Sequence, residues 1–341
     1  MSNREAEFIC SVLRSFVREA VAPPVPPGLA WDRVERLAAR NLVMPILLDV
    51  LNAEVIPATV RQRWEPLVIG TEIHHARAQR AAAKLCRILE AEGIPSVVLR
   101  GMALTSWVYR DPALRPMVDV DVLIPAEARY LLTEVLAWHG IEPAKTLRSQ
   151  IVYCFEGVVF EIHWSLLTPK RYRRIGNTSL WIASRIKIPL DDGMLFRLSS
   201  ENELLDLVCH SFIHHELRNL LQAVDIAMVS NLEGIDWQYV FEWCRNARVT
   251  RLVWFVLSFV DRLFDLGLVA RLASLGISYS GLKKSGFEAY QCRLFGEDSR
   301  LHHLRRKANL IAVAESPVVR LRQMLRFLSL DEIGSIIRPG A

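Results

Sequence analysis

Residues 97–125, VVLRGMALTSWVYRDPALRPMVDVDVLIP, hold the pattern from which the rest of the chain can be read. A short apolar run ends in Arg100-Gly101, a helical stretch follows, and Arg115 precedes Asp119-Val120-Asp121 inside a β-branched segment. Successive side chains on a strand alternate between faces, so Asp119 and Asp121 point the same way. Val118, Val120, Val122, Leu123 and Ile124 around them argue for a strand in a buried sheet. Two carboxylates so close repel each other and lose hydration unless a cation sits between them. Mg²⁺ takes one or two carboxylates together with phosphate oxygens. The stretch therefore predicts a metal and nucleotide site.

The chain has 341 residues, 51% of them hydrophobic, enough for a large core and for two domains or one with helical extensions. Its six cysteines form no CxxC pair, which excludes a zinc ribbon or disulfide framework and suits a reducing cytoplasm. The first residues, MSNREAEFICSVLRSF, lack the apolar core of a signal peptide. The longest apolar run, 252–260, is broken by Asp261-Arg262, well short of the roughly 20 residues of a membrane span. Neither export nor membrane insertion is expected.

The net charge of +5 is concentrated near the end of the chain. Between 300 and 328 lie Arg300, Arg305, Arg306, Lys307, Arg320, Arg322 and Arg326 against Glu315 alone. Val318, Leu321, Leu325 and Leu328 recur there at helical spacing, so a docked amphipathic helix with a solvated basic face is expected. The same charge offers a surface for RNA.

In chain order, 1–93 predict an N-terminal helical region. Apolar positions Phe8, Val12, Phe16 and Val17 mark a first helix, stopped by the Pro-rich run 23–28. A second begins near Trp31, with Pro45 expected to kink or end it, and a long Ala-rich helix fills 58–92 before Gly93. Residues 94–198 predict an α/β core: a helix over 126–139, then β-rich runs 151–155 and 158–164 around the hairpin turn Glu156-Gly157. Glu161 and His163 share one face of the second run, and Glu161 is the candidate third carboxylate. Residues 199–341 predict a C-terminal helical region, opened by a capped start at Ser200 and continuing over 220–230, 236–245 and 251–266. His210 and His214, one helical turn apart beside Cys209 and His215, offer two imidazoles to one metal, but no third ligand falls at a recognisable spacing.

Arg100-Gly101-Met102-Ala103-Leu104, Tyr109, Arg115, Asp119-Val120-Asp121 and Glu161-Ile162-His163-Trp164 together resemble the uncharacterised nucleotidyltransferase family of the DNA polymerase β-like superfamily. Trp31-Asp32, Leu37-Ala38, Ala91-Glu92-Gly93-Ile94 and Asp225-Ile226-Ala227 extend the likeness over roughly 30–260. The resemblance implies an α+β fold, a small mixed β-sheet core flanked by helical regions. It implies Asp119, Asp121 and Glu161 as catalytic metal ligands for Mg²⁺ or Mn²⁺. Arg100, Gly101, Arg115 and His163 would contact the nucleotide, Gly101 by letting backbone approach the triphosphate. Arg100 stands where the family usually has Lys, and Met102 where the superfamily often has Ser or Gly. The implied activity is transfer of a nucleoside monophosphate from an NTP to a hydroxyl of a small molecule, peptide, protein or RNA, releasing pyrophosphate. Two other classes stay open: a non-catalytic nucleotide-binding or interaction protein on this scaffold, and a DxD glycosyltransferase.

Overall fold

The computed structural model of the chain describes residues 4–51, 54–147, 149–166, 178–191, 193–277, 284–296 and 298–327. Four helices come first: α1 (Arg4–Val17), α2 (Trp31–Arg40), α3 (Met44–Val50) and α4 (Ala58–Ala91). Pro45 does not end a helix as expected; it lies in the first turn of α3, where its missing N–H would have had no partner in any case. α4 runs for 34 residues and stops at Gly93, whose φ of +74° is the left-handed turn that glycine makes without a Cβ clash.

A second group of elements follows: β1 (Val97–Val98), α5 (Arg100–Thr105), β2 (Asp119–Leu123), α6 (Arg129–Trp138), β3 (Pro143–Thr146), β4 (Gln150–Phe155) and β5 (Val158–His163). The five strands form one mixed sheet in the order β1-β2-β5-β4-β3, parallel between β2 and β5 and antiparallel elsewhere. The β4–β5 turn is the expected tight hairpin, with Glu156 at φ +51° and Gly157 at φ +69°. Arg77 of α4 donates from Nε to the Glu156 carbonyl at 2.9 Å, and Lys84 pairs with the Glu156 carboxylate at 2.7 Å. These contacts tie the hairpin to the long helix.

Next come α7 (Thr178–Ala183) and a separate hairpin, β6 (Ile186–Leu190) with β7 (Gly193–Arg197). The sequence hid this hairpin because its inward face is short: Ile188 and Leu195 are buried while Lys187 and Pro189 are exposed. The elements described after it are helices: α8 (Ser200–Ile213), α9 (Leu220–Ser230), α10 (Trp237–Ala247), α11 (Thr250–Phe264), α12 (Leu268–Ser274), α13 (Lys284–Leu294), α14 (Arg300–Ala312) and α15 (Pro317–Phe327). The cap of α8 is Ser199, one residue before the expected start, its Oγ accepting from the Asn202 amide.

Two hydrophobic cores organise the molecule. One lies between α4 and the sheet: Ala78, Ala81, Ala82 and Leu85 meet Val120 and Val122 of β2 and Phe160 and Ile162 of β5. Alanines let the helix approach closely, and each fully buried Val, Ile or Phe contributes about 1.5–3 kcal/mol. The other core joins the first three helices to α8, α9 and α11, so the N-terminal and C-terminal helical regions share one interior. The apolar residues of β2 and β5 that face α4 leave Asp119, Asp121, Glu161 and His163 on the opposite face, toward α8.

The C-terminal segment departs from expectation. Val318, Leu321 and Leu325, expected to dock, are exposed on α15, while Val319 and Gln323 are buried; Leu328 lies outside the described residues. The apolar spacing was real, but the helix turns another face inward. Nor is the basic segment one free surface, since Arg306 is buried against Asp298 and Lys307 pairs with Glu216 at 3.0 Å. No described helix is long and apolar enough to cross a membrane.

Candidate active site

The register of the parallel pair builds the site. Asp121 stands opposite Glu161, and Leu123 opposite His163, so the acid of β2 and the acid of β5 project side by side. His163 Nε2 lies 2.7 Å from Asp121 Oδ1 and 3.7 Å from Glu161 Oε2. Asp121, Glu161 and His163 each offer a ligand atom within 4.8 Å of the others. Gln150 of β4 donates to Glu161 Oε2 at 2.5 Å and fixes that carboxylate. Asp119, two residues from Asp121, completes three carboxylates on one face.

Their charges are unequally compensated. Burial tends to raise the Asp121 carboxyl, but Arg100 and then His163 outweigh it and hold the group well below the usual carboxylate range. For Asp119 burial dominates and the neighbouring Asp121 and Glu161 add to it, pushing the carboxyl up to about 6. Asp119 makes no ion pair among the described residues. The face thus carries more negative charge than its own cations neutralise, a donor set of hard oxygens that fits a divalent cation.

Arg100, expected to reach a phosphate, is 6% exposed and already committed. Its Nη1 lies 3.0 Å from Asp121 Oδ1 and its Nε 2.9 Å from Asp206 Oδ2 on α8. Its backbone, at a left-handed φ of +49°, donates its N–H to Glu203 Oε1 at 3.0 Å. A non-glycine residue in that region costs roughly 1–2 kcal/mol, which the buried network of α8 offsets. Arg115, also expected at the nucleotide, is held by Asp225 of α9 through Nη2–Oδ2 at 2.8 Å and Nε–Oδ1 at 3.2 Å, with the Tyr109 hydroxyl donating to Asp225 at 2.7 Å. Gly101 serves this packing: a Cβ there would meet Arg115 Nη1 at 2.5 Å and Met117 Cβ at 3.3 Å. Its missing side chain makes room for the guanidinium.

Glu203 and Asp206 were not among the expected site residues. Their signal was present, since both carboxylates sit in the apolar run of α8 and are buried there. Burial, with Asp206 second, pushes Glu203 up to about 8 from an ordinary value of 4.5. Its Oε2 lacks a partner among the described residues, which disfavours the charged form further. An acid with a raised folded pKa stabilises the fold fully below its unfolded pKa and loses that contribution as pH climbs through the folded value. Glu203 therefore costs stability between about pH 4.5 and 8, on the order of 5 kcal/mol across the window. Urea unfolding at pH 5 and pH 8.5 should show Glu203→Gln losing less stability with rising pH than the wild type, by several kcal/mol. Equal losses would show that Glu203 is ionised in the fold.

Asp119 and Asp121 form the shared floor of a two-lobed cleft. The smaller lobe, about 210 Å³, is bounded by Gly101, Arg115, Met117, Leu207 and Leu221. The larger, about 500 Å³, is bounded by Gln150, Glu161, His163, His214 and Arg218. His210 is partly buried and lines both lobes; its Nε2 lies 2.9 Å from His215 Nε2, and desolvation followed by the field of Arg100 holds its imidazole well below the usual range. His210, His214 and His215 do cluster as their spacing implied, with ring centroids 4.7–6.4 Å apart.

Residues 27–265 match the family described as an uncharacterised nucleotidyltransferase. No curated protein matches the chain. Among solved structures, the antibiotic-resistance factor ANT(2'')-Ia in solution is 14% identical over 58% of this chain and 94% of its own, with a TM-score of 0.31. An antigenic nucleotidyltransferase-like protein from Paracoccidioides brasiliensis is also 14% identical, over 58% and 91%, with a TM-score of 0.38. ANT(2'')-Ia in complex with adenylyl-2''-tobramycin gives 14%, 57% and 95%, with a TM-score of 0.29.

Proposed function

The chain belongs to the uncharacterised nucleotidyltransferase family, and from that premise we propose that it transfers a nucleoside monophosphate from an NTP to a hydroxyl of an acceptor, releasing pyrophosphate. The observation that carries this reading is that Asp119, Asp121 and Glu161 share one sheet face, with ligand atoms of Asp121 and Glu161 within 4.8 Å of each other and charge left uncompensated at Asp119. Asp119, Asp121 and Glu161 would hold Mg²⁺ or Mn²⁺, which when bound neutralises triphosphate charge and acidifies an acceptor hydroxyl.

The protein's own groups have separate tasks. Arg100 and His163 fix the Asp121 carboxylate from two sides, so its orientation does not depend on the substrate. Gln150 fixes Glu161, which faces the larger lobe and accepts the proton of the acceptor hydroxyl. The acceptor oxygen attacks the α-phosphorus in line and pyrophosphate departs from the opposite side. In the smaller lobe Met117, Leu207 and Leu221 offer an apolar wall for the nucleoside.

A second reading, nucleotide binding without transfer, is favoured by one observation: Asp121 Oδ1 already accepts from both Arg100 and His163. The two readings separate by which phosphorus moves. Incubation with an NTP labelled at the α-phosphorus, a divalent cation and a cell extract should label an acceptor, and γ-label should leave as pyrophosphate. Binding without transfer labels nothing.

A further inference from the structure

The larger lobe has a second wall that the carboxylates do not explain. His214 and His215 follow the end of α8, Arg218 follows them, and all three border the lobe that Glu161 and His163 also line. The Arg218 amide donates to Gln222 Oε1 at 2.8 Å, anchoring the backbone from which its exposed side chain extends. Its guanidinium makes no ion pair among the described residues. Glu216, the acid between these residues in sequence, is turned elsewhere, 3.1 Å from Arg293 and 3.0 Å from Lys307. Among the described residues this wall therefore presents the Arg218 cation, without an ion-pair partner, and two imidazoles, with no acid between them.

We propose that His214, His215 and Arg218 receive a phosphate group of the acceptor, so that the substrate modified is a phosphorylated small molecule. The proposal rests on the nucleotidyl-transfer reading for the identity of the acceptor. The Arg218 guanidinium offers a planar pair of N–H groups and His214 a further donor to the several acceptor oxygens of a phosphate, while His215, its Nε2 held 2.9 Å from His210 Nε2, borders them. His214 and Arg218 adjoin Glu161, which takes the acceptor's proton, whereas the apolar lobe for the nucleoside lies across Asp119 and Asp121, with His215 between the two lobes. A lobe of about 500 Å³ suits a compact acceptor. A polycationic acceptor would meet like charge at Arg218.

Inorganic phosphate is the direct probe, titrated at fixed ionic strength into the full chain holding Mg²⁺ and a non-transferable α,β-methylene NTP analogue. Phosphate should bind beside the analogue, Arg218→Gln and His214→Gln should each weaken it by about tenfold, and analogue affinity should stay unchanged, since neither residue lines the smaller lobe. The inference is overturned if phosphate does not bind, if it binds Arg218→Gln as tightly as wild type, or if the analogue excludes it, which would assign the wall to the triphosphate. Should the analogue itself fail to bind, the nucleotidyl-transfer reading fails. The phosphate titration without analogue then still decides whether this wall binds phosphate.

Discussion

Asp119→Asn and Asp121→Asn should each lower the transfer of α-label by about a thousandfold or more while leaving the fold intact, as read by circular dichroism and thermal unfolding. Loss of one group that holds transition-state charge typically removes about 10²–10³ in rate, and removal of a metal carboxylate acts on both binding and charge. The two variants should differ in a second property. Asp119 is destabilised by burial and by its acidic neighbours, so Asp119→Asn removes an unfavourable charge and should raise the melting temperature. Asp121 is stabilised by Arg100 and His163, so Asp121→Asn weakens a satisfied network and should lower it. Opposite signs of the two shifts, with parallel loss of activity, would distinguish a functional face from a merely structural one. Full activity in either variant would remove that carboxylate from the mechanism.

Asp206→Ala should be among the most destabilising single changes in the chain. Asp206 is 2% exposed and Arg100 is 6% exposed, so truncating the acid leaves a buried guanidinium with Asp121 as its remaining carboxylate partner at hydrogen-bond distance. Breaking a buried pair in this way costs about 3–5 kcal/mol, whereas replacing both partners by apolar groups of similar size is close to neutral. Urea denaturation of Asp206→Ala, Arg100→Met and the double variant R100M/D206L tests this directly. The double variant should recover stability relative to Asp206→Ala but not activity, because Asp121 then loses the cation that holds its carboxylate. Additive losses in the double variant would show that Arg100 and Asp206 are energetically independent.

The fold was legible wherever local chemistry and tertiary packing agree. The β4–β5 hairpin announced itself through Glu156-Gly157, the α4 terminus through Gly93, and the sheet face through the alternation around Asp119 and Asp121. Pairwise relations were less legible. Nothing local states that Glu161 stands opposite Asp121, because register across a parallel pair is set by the whole sheet. Arg100 and Arg115 read as phosphate ligands because an Arg beside a glycine or an acidic strand has that chemistry; besides Asp121, which holds Arg100 from β2, their carboxylate partners come from α8 and α9, about a hundred residues away. The β6–β7 hairpin and the inward face of α15 were hidden for a related reason: few inward residues carry each, and spacing alone does not say which face docks.

Nucleotidyl transfer on the carboxylate face of β2 and β5 makes a prediction for each phosphorus of the NTP. It is tested most directly by following each phosphorus separately, with α-labelled and γ-labelled NTP, Mg²⁺ and a cell extract offered to the wild type and to Asp121→Asn. The expected result is α-label on an acceptor and γ-label in pyrophosphate with the wild type, and neither with the variant. Transfer of γ-label, or equal α-labelling by the variant, would contradict it.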